Sequence, residues 1–227
     1  MLVASFWAGG RRAGPALSRL ILLGCGVVAQ CQPNSHEGMG STGVDSVVVD
    51  NEMTNTTSSS IVIGGGNDDL LIRANHVLGS GAQGILFVET FIDRFPVPST
   101  NVTVHENDVG SSRLGGIVTA PNNLAYSLIT GNIVGENGAT GASGIALTSG
   151  NTYDVISENR VDSNGRHGII AQLGAIGNSF EHNSMHGNGF LNPALFFDAR
   201  DANNPINQWT GNDCATDSPA GAICGVG

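Results

Sequence analysis

The chain has 227 residues, of which 12 % are charged and 40 % hydrophobic, with 33 glycines. Disordered chains show the reverse balance, so this one should fold, and its length suits one sizeable domain better than two. Nine arginines, no lysine and nineteen acids give a net charge of −10, a field that repels nucleic-acid phosphates and anionic lipid heads and argues against nucleic-acid binding.

The first element in chain order is a leader. Arg11, Arg12 and Arg19 precede a short apolar stretch from Leu20 to Ala29, and no acid comes before Glu37. Positive charge followed by a short apolar run reads as a secretory signal over residues 1–29. The run is far below the roughly 20 residues that span a bilayer, so no transmembrane segment is expected. Two processing schemes stay open: cleavage after Ala29, or lipidation at Cys25, since Leu22-Leu23-Gly24-Cys25 resembles a bacterial lipobox. A non-signal apolar N-terminus is the third. The first two place the protein outside the cytoplasm, as a secreted, periplasmic or surface-tethered chain. Residues 30–43 then form a linker or N-terminal cap, 44–213 the body and 214–227 a C-terminal cap. Cys214 and Cys224 flank a turn-rich segment, where a disulfide would close a short loop in an oxidising compartment. Two reduced buried cysteines are the other reading, and Cys31 has no obvious partner.

The body is repetitive. Seven segments share the pattern apolar-x-x-Asn-x-apolar, from Val48 to Met53 through Trp209 to Cys214, with anchors Asn51, Asn75, Asn107, Asn132, Asn159, Asn183 and Asn212 spaced 24 to 32 residues apart. A small residue followed by an aliphatic one keeps step with them: Ser60-Ile61, Gly84-Ile85, Gly116-Ile117, Gly144-Ile145, Gly168-Ile169 and Ala194-Leu195. Apolar residues three before and two after the asparagine cannot share one face of a straight strand, but both point inward if the chain bends there. Asparagine tolerates the left-handed backbone such a bend needs, and its amide can donate to the coil beside it. Asn137-Gly138 and Asn164-Gly165 mark a second bend. Coils with three short strands cannot bury their own inner face; stacking buries it continuously. Glycine or asparagine every few residues excludes a helical solenoid, and a propeller needs longer repeats.

These Asn-x-Val, Asn-Gly and Gly-Ile features resemble the parallel β-helix repeats of the pectate-lyase-like superfamily. The segment from Asn207 to Cys214, with Pro219 and Cys224, is similar to the closing segment of many exported bacterial β-helix proteins. The resemblance covers residues 44 to 224 and implies an all-β fold, a right-handed parallel β-helix solenoid of about seven coils. It does not imply one activity, because the superfamily includes lyases, hydrolases, epimerases and non-catalytic members.

In enzymes of that fold the substrate lies on the outer face of the strand that begins at Gly-Ile. Strand alternation here puts Val62, Leu86, Val118, Ala146, Ile170 and Phe196 outward, followed two residues later by Gly64, Val88, Ala120, Thr148, Gln172 and Asp198. The strip is almost wholly apolar and lacks the paired carboxylic acids of a glycosidase. Arg166, His167, Asp198 and Arg200 are the best charged candidates for a ligand site, since an acid beside a guanidinium can bind a sugar hydroxyl or carboxylate. Asp68 and Asp69, in Gly64-Gly65-Gly66-Asn67-Asp68-Asp69-Leu70, come close to one calcium-binding nonapeptide, but such sites need several stacked copies and the sequence has one, so a plain acidic turn between coils is the preferred reading. His105-Glu106-x-Asp108 reads as a solvent-facing corner, and His182 and His186 fall on either side of a bend. No other cofactor is expected.

The loop from Phe91 to Thr100 is expected to fold over part of the apolar strip; if the strip is open, it is a partner surface or a self-association edge. Three functional readings remain. The first is a non-catalytic exported β-helix that binds a polysaccharide or cell-surface glycan, or serves as a structural module. The second is a polysaccharide lyase or glycoside hydrolase with a loop-borne site near the C-terminal coils. The third is a piece of a longer β-helix.

Overall fold

The computed structural model describes residues 39–41, 46–89, 91–92 and 95–225, so the leader, Cys25 and Cys31 lie outside the described residues. Among those described there is no helix. Nearly every strand is two to four residues long, and nearly all pair in parallel into three stacked sheets.

Sheet 1 carries seven strands, beginning with Val47–Val49 and Leu71–Arg73 and ending with Ser179–Glu181 and Gln208–Thr210. Sheet 2 also has seven, from Glu52–Thr54 to Asp213–Cys214. Sheet 3 has eight and runs from Met39–Ser41 through Ile61–Gly64, Gln83–Val88, Gly115–Thr119, Ile145–Leu147, Ile169–Ala171 and Ala199–Asp201 to Asp217–Ser218. Each coil visits the sheets in the order 1, 2, 3. This is the expected parallel solenoid.

A three-residue strand turns one side chain inward, and this explains the sequence pattern. In Val48-Val49-Asp50-Asn51-Glu52-Met53 the two apolar residues are the middle residues of consecutive strands, and the chain bends between them. The same holds for Ile72 and Val77, Val104 and Val109, Ile129 and Val134, and Ile156 and Val161, all fully buried. Each such burial contributes about 1.5–3 kcal/mol. The small residue before each sheet 3 isoleucine is explained by close approach: a Cβ on Gly116 would sit 2.4 Å from Val134 Cγ1, and one on Gly144 2.5 Å from Val161 Cγ1.

The bend differs from expectation in one respect. The left-handed residue is the one before the asparagine: Asp50, Ala74, Glu106, Gly131, Glu158, His182 and Gly211 have φ between 52° and 63°. The asparagine keeps a negative φ because its side chain turns into the wall, where all seven anchors are buried. There it builds the expected ladder. Asn51 Nδ2 donates to Asn75 Oδ1 at 2.7 Å, and the contact repeats down the stack to Asn212 at 2.8–3.0 Å. Each Oδ1 also accepts the backbone N–H of the previous asparagine. Each amide from Asn75 on also reaches back to a sheet 1 carbonyl, as Asn132 Nδ2 does to Val104 O at 2.9 Å.

Two further ladders follow the same rule. At the corner between sheets 2 and 3, Ser112, Asn137, Asn164 and Asn188 are linked by backbone N–H to side-chain oxygen bonds of 2.9–3.1 Å. At the corner leading back to sheet 1, Ser127, Asp154, Asn178 and Asn207 are linked at 2.9 Å. In the last two coils Phe180 and Trp209 stack 3.9 Å apart in the core, and beyond Asn212 Cys214 and Cys224 form a disulfide. Asp217 accepts the backbone N–H groups of Gly221, Ile223 and Cys224 in the segment that the disulfide closes.

Asp154 is the odd member of the third ladder. It is fully buried, Oδ1 serves the ladder, and Oδ2 has no partner. Burial pushes its carboxyl up to about 7 against the one opposing hydrogen bond, from the Ser127 backbone. The folded protein therefore holds this proton more tightly than the unfolded chain does. Its stabilisation is complete below the unfolded value of 3.8 and is lost as the pH rises toward 7. Measured against the Asp154→Asn variant, which supplies an N–H donor in place of Oδ2, the wild-type unfolding free energy should fall by on the order of 4 kcal/mol across that window. Denaturant melts of both proteins at several pH values give the difference, in which the opposite contribution of the other titrating groups cancels.

Candidate functional site

The outer face of sheet 3 is half-buried and apolar at Val62, Leu86, Val118 and Ile170, and Ala146 in their midst is buried. The last position departs from expectation. Ile170 pairs with Arg200, and Ile169 with Ala199. Leu195, expected inside, is 58 % exposed, and Phe196 does not take the outward strand position. The cause is an excursion after Asn188, closed by backbone bonds from Asn192 to Gly189 and from Leu195 and Phe196 to Asn192. The four-residue slip leaves Ala199 beneath Ile169.

The slip also moves Asp198, which is buried and off the outer strip. Its Oδ1 accepts the backbone and side-chain N–H of Asn188, both at 3.0 Å. Its Oδ2 accepts the backbone N–H groups of Ala215 and Thr216 and the Thr216 hydroxyl. Asp198 therefore terminates the second ladder, and the expected pairing of this acid with a guanidinium is not made.

The other three candidates do come together. Arg166 Cζ lies 4.6 Å from the centre of the Phe196 ring, and Nη1 donates to Gly141 O at 3.2 Å. His167 is buried against Phe196 and Phe197. Its Nδ1 accepts the Phe197 backbone N–H at 3.1 Å, which leaves the proton of the neutral ring on Nε2. Burial, reinforced by the charges of Arg200 and Arg166, pushes His167 down to about 4, so it is neutral at physiological pH. Among the described residues, Arg73 and Arg160 form ion pairs, with Glu106 and Asp162, whereas Arg113, Arg166 and Arg200 form none. Two uncompensated guanidiniums thus stand at the C-terminal end of a strip whose outward positions carry no acid.

Sheet 2 carries a feature that the sequence reading missed. Gly110 and Gly135 are paired neighbours on its outer face, beside Leu78 and Asp162. The absent side chains open a groove of about 340 Å³ lined by Asp108, Ser111, Ile133, Glu136, Arg160 and Asp162. Asp108 contacts His76 Nδ1 at 3.0 Å, Glu136 accepts from Ser111 at 3.4 Å, and Asp162 pairs with Arg160 Nε at 2.6 Å. Glycine at the second outward position of two successive sheet 2 strands was the available signal; it means something only once the register is known.

The remaining candidates are engaged locally. Asp68 Oδ1 accepts the Thr100 hydroxyl at 2.7 Å and the Asn101 amide at 2.9 Å, which hold its carboxyl below the usual carboxylate range, and Asp69 takes a left-handed φ of 55°. The pair closes a corner between coils. His105 lies beside Glu106, and His186 contacts Asp213 at 3.1 Å. Among the described residues no group of three His, Cys, Asp or Glu is arranged to hold a metal ion, and no helix is long and apolar enough to cross a membrane. In the loop after sheet 3, Phe91–Ile92 and Phe95–Pro96 form an antiparallel hairpin, and the space beside Gly66 is bounded by Val97. Whether the side chains of Phe91, Ile92 and Phe95 cover the strip lies outside the described residues.

No protein-family model matches the chain, and no curated protein does. Solved structures do. A double mutant of the periplasmic alginate epimerase AlgG superposes with a TM-score of 0.54 at 16 % identity over 80 % of this chain and 48 % of that one. The Dettilon tailspike protein gives 0.54 at 19 % identity over 71 % and 32 %, and the pectate lyase Pel9A gives 0.50 at 12 % over 74 % and 44 %. The chain therefore has the right-handed parallel β-helix fold that these structures share, and it spans less than half of their length.

The geometry separates a structural acid from surface cations. Asp198→Ala strands several buried donors and should destabilise the protein by about 2–4 kcal/mol. Arg200→Ala, which breaks no ion pair, should cost less than about 1 kcal/mol. Chemical denaturation of the two variants checks both values.

Proposed function

We propose that the protein is an exported, non-catalytic β-helix that binds an anionic glycan along the outer face of sheet 3. The observation that carries this reading is the pair of uncompensated guanidiniums, Arg166 and Arg200, at the end of an apolar strip with no acid in its outward positions. Planar guanidiniums suit bidentate contact with a carboxylate or sulfate. The overall negative charge does not prevent this, because exposed charges more than about 8 Å away are largely screened at physiological salt. Neutral His167 and the Phe196 ring fix the position of Arg166, and the aliphatic strip offers a surface for the apolar edges of sugar rings. The disulfide and the periplasmic setting named for one similar structure support export.

Catalysis on this strip would need a general acid or base within reach of the glycan. Asp198 is occupied by the ladder, and the raised carboxyl of Asp154 is sealed inside a corner. A second reading, a polysaccharide lyase or hydrolase, is favoured by one observation: the sheet 2 groove gathers Asp108, Glu136 and Asp162 beside Arg160.

A glycan array followed by sizing of the bound material separates the two. The expected result is binding of uronate- or sulfate-bearing glycans, recovered intact and weakened by salt. The variant carrying both Arg166→Ala and Arg200→Ala should bind about tenfold or more weaker with an unchanged melting temperature. Shortened glycans, protected by Asp162→Asn but not by the arginine variant, would overturn the non-catalytic reading in favour of the groove.

A further inference from the structure

At the corner leading back to sheet 1, the residue before each ladder position faces outward, and successive coils place Tyr126, Tyr153, Gly177 and Ile206 there, in front of Ser127, Asp154, Asn178 and Asn207. Tyr126 and Tyr153 have φ of 55° and 60°. That conformation costs a bulky residue about 1–2 kcal/mol, and glycine or asparagine fills it freely, as Gly177 and Asn101 do at the same corner. The two tyrosines nevertheless stack, with ring centres 5.2 Å apart and planes within 10°, and remain 63 % and 58 % exposed. Neither ring is needed to fill the core. Two aromatic residues in a strained backbone state, presented to water, are an outlier that asks for a role.

The third position supplies it. Gly177 has no side chain, and a Cβ there would lie 3.0 Å from Tyr153 Cε1. The face of Tyr153 turned away from Tyr126 therefore looks over bare backbone toward Ile206, which is 59 % exposed, with Ile176 alongside at 40 %. Coils repeat at about 4.8 Å, so roughly 10 Å separates Tyr153 from the Ile206 position, room for one flat ring about one spacing from each wall. The platform is far smaller than the roughly 800 Å² per partner of a stable protein interface, which favours a small ligand. The two exposed phenol groups can meet hydroxyls at the ring's edge.

We propose that Tyr126, Tyr153 and Gly177 form a stacking site for the apolar face of one pyranose ring in an uncharged stretch of glycan. The site rests on the reading of the protein as a glycan binder and deepens it. It recognises the sugar by its C–H face, whereas Arg166 and Arg200 recognise negative charge.

The test titrates the intact protein with neutral hexasaccharides (β-1,4-gluco, β-1,4-manno and α-1,4-gluco) and with a hexauronate, following the tyrosine ring resonances by NMR. At least one neutral probe should shift the rings of Tyr126 and Tyr153. Tyr153→Ala and Tyr126→Ala should each weaken it about tenfold or more, and Tyr153→Phe should stay within about threefold of wild type. Gly177→Asn keeps a residue that tolerates the left-handed state while filling the gap against Tyr153, and should block binding with only a small drop in melting temperature, the ring shifting at its exposed end. The variant lacking Arg166 and Arg200 should still bind the neutral probe. If only the hexauronate binds, or the tyrosine variants bind neutral sugars unchanged, the stacking site is overturned while the anionic-glycan reading stands. If no saccharide binds, both fall. Self-association that disappears in the tyrosine variants would instead make the platform a contact between copies and overturn the site.

Discussion

Most corners of this solenoid depend on one two-residue device: an outward residue in the left-handed state, followed by a buried side chain that accepts the backbone N–H of the coil before it. Bending the chain so sharply takes backbone groups out of strand pairing, and an unsatisfied buried N–H or C=O costs about 1–3 kcal/mol. The buried amide answers both demands at once, closing the turn and bonding its neighbours on either side. Asparagine suits the position because it alone of the small polar residues carries a donor and an acceptor in one planar group. Serine and aspartate stand in at Ser112, Ser127 and Asp154; Ser127 is fully engaged, whereas Ser112 Oγ and Asp154 Oδ2 are left without a partner.

The same device divides the chemistry of the protein. Once corners and core are set, the outward residues answer to nothing but solvent and partners, and each sheet has acquired a distinct surface. Sheet 1 and sheet 2 pair their charges, Arg73 with Glu106 and Arg160 with Asp162, across neighbouring coils or along one strand. Sheet 3 carries aliphatic groups and, at Arg200, a cation without a partner. The corner back to sheet 1 carries the tyrosines.

Much of this was legible before any coordinates. A single residue type at near-constant spacing revealed the first ladder, and the two flanking apolar residues revealed the core. The other ladders were not legible because their members change identity: Ser127, Asp154, Asn178 and Asn207 play one part in four coils. The last coil misled the reading for a different reason. Ala194-Leu195 copies the small-then-aliphatic signal, yet the true partner of Ile169 is Ala199, whose small side chain gives no signal at all. That slip carried Asp198 from the expected surface to the interior, and the same excursion brings Phe196 to Arg166 and His167 and puts Arg200 in the outward strand position. The sheet 2 groove needs two glycines 25 residues apart to be neighbours, a fact of register.

The ladders also have a direction. Along each stack, amide N–H groups point toward the C-terminal coils and the accepting oxygens face the N-terminal ones, so the dipoles add as they do along an α-helix. The positive pole of each row falls at the C-terminal end of the solenoid. Two of the three rows meet a carboxylate there: Asn188 donates to Asp198, and Asn207 donates to Asp201, which also receives the indole N–H of Trp209. These aspartates sit where an anion sits at the amino end of a helix. The axis of the β-helix is thus electrically polar, and its two ends are not interchangeable surfaces.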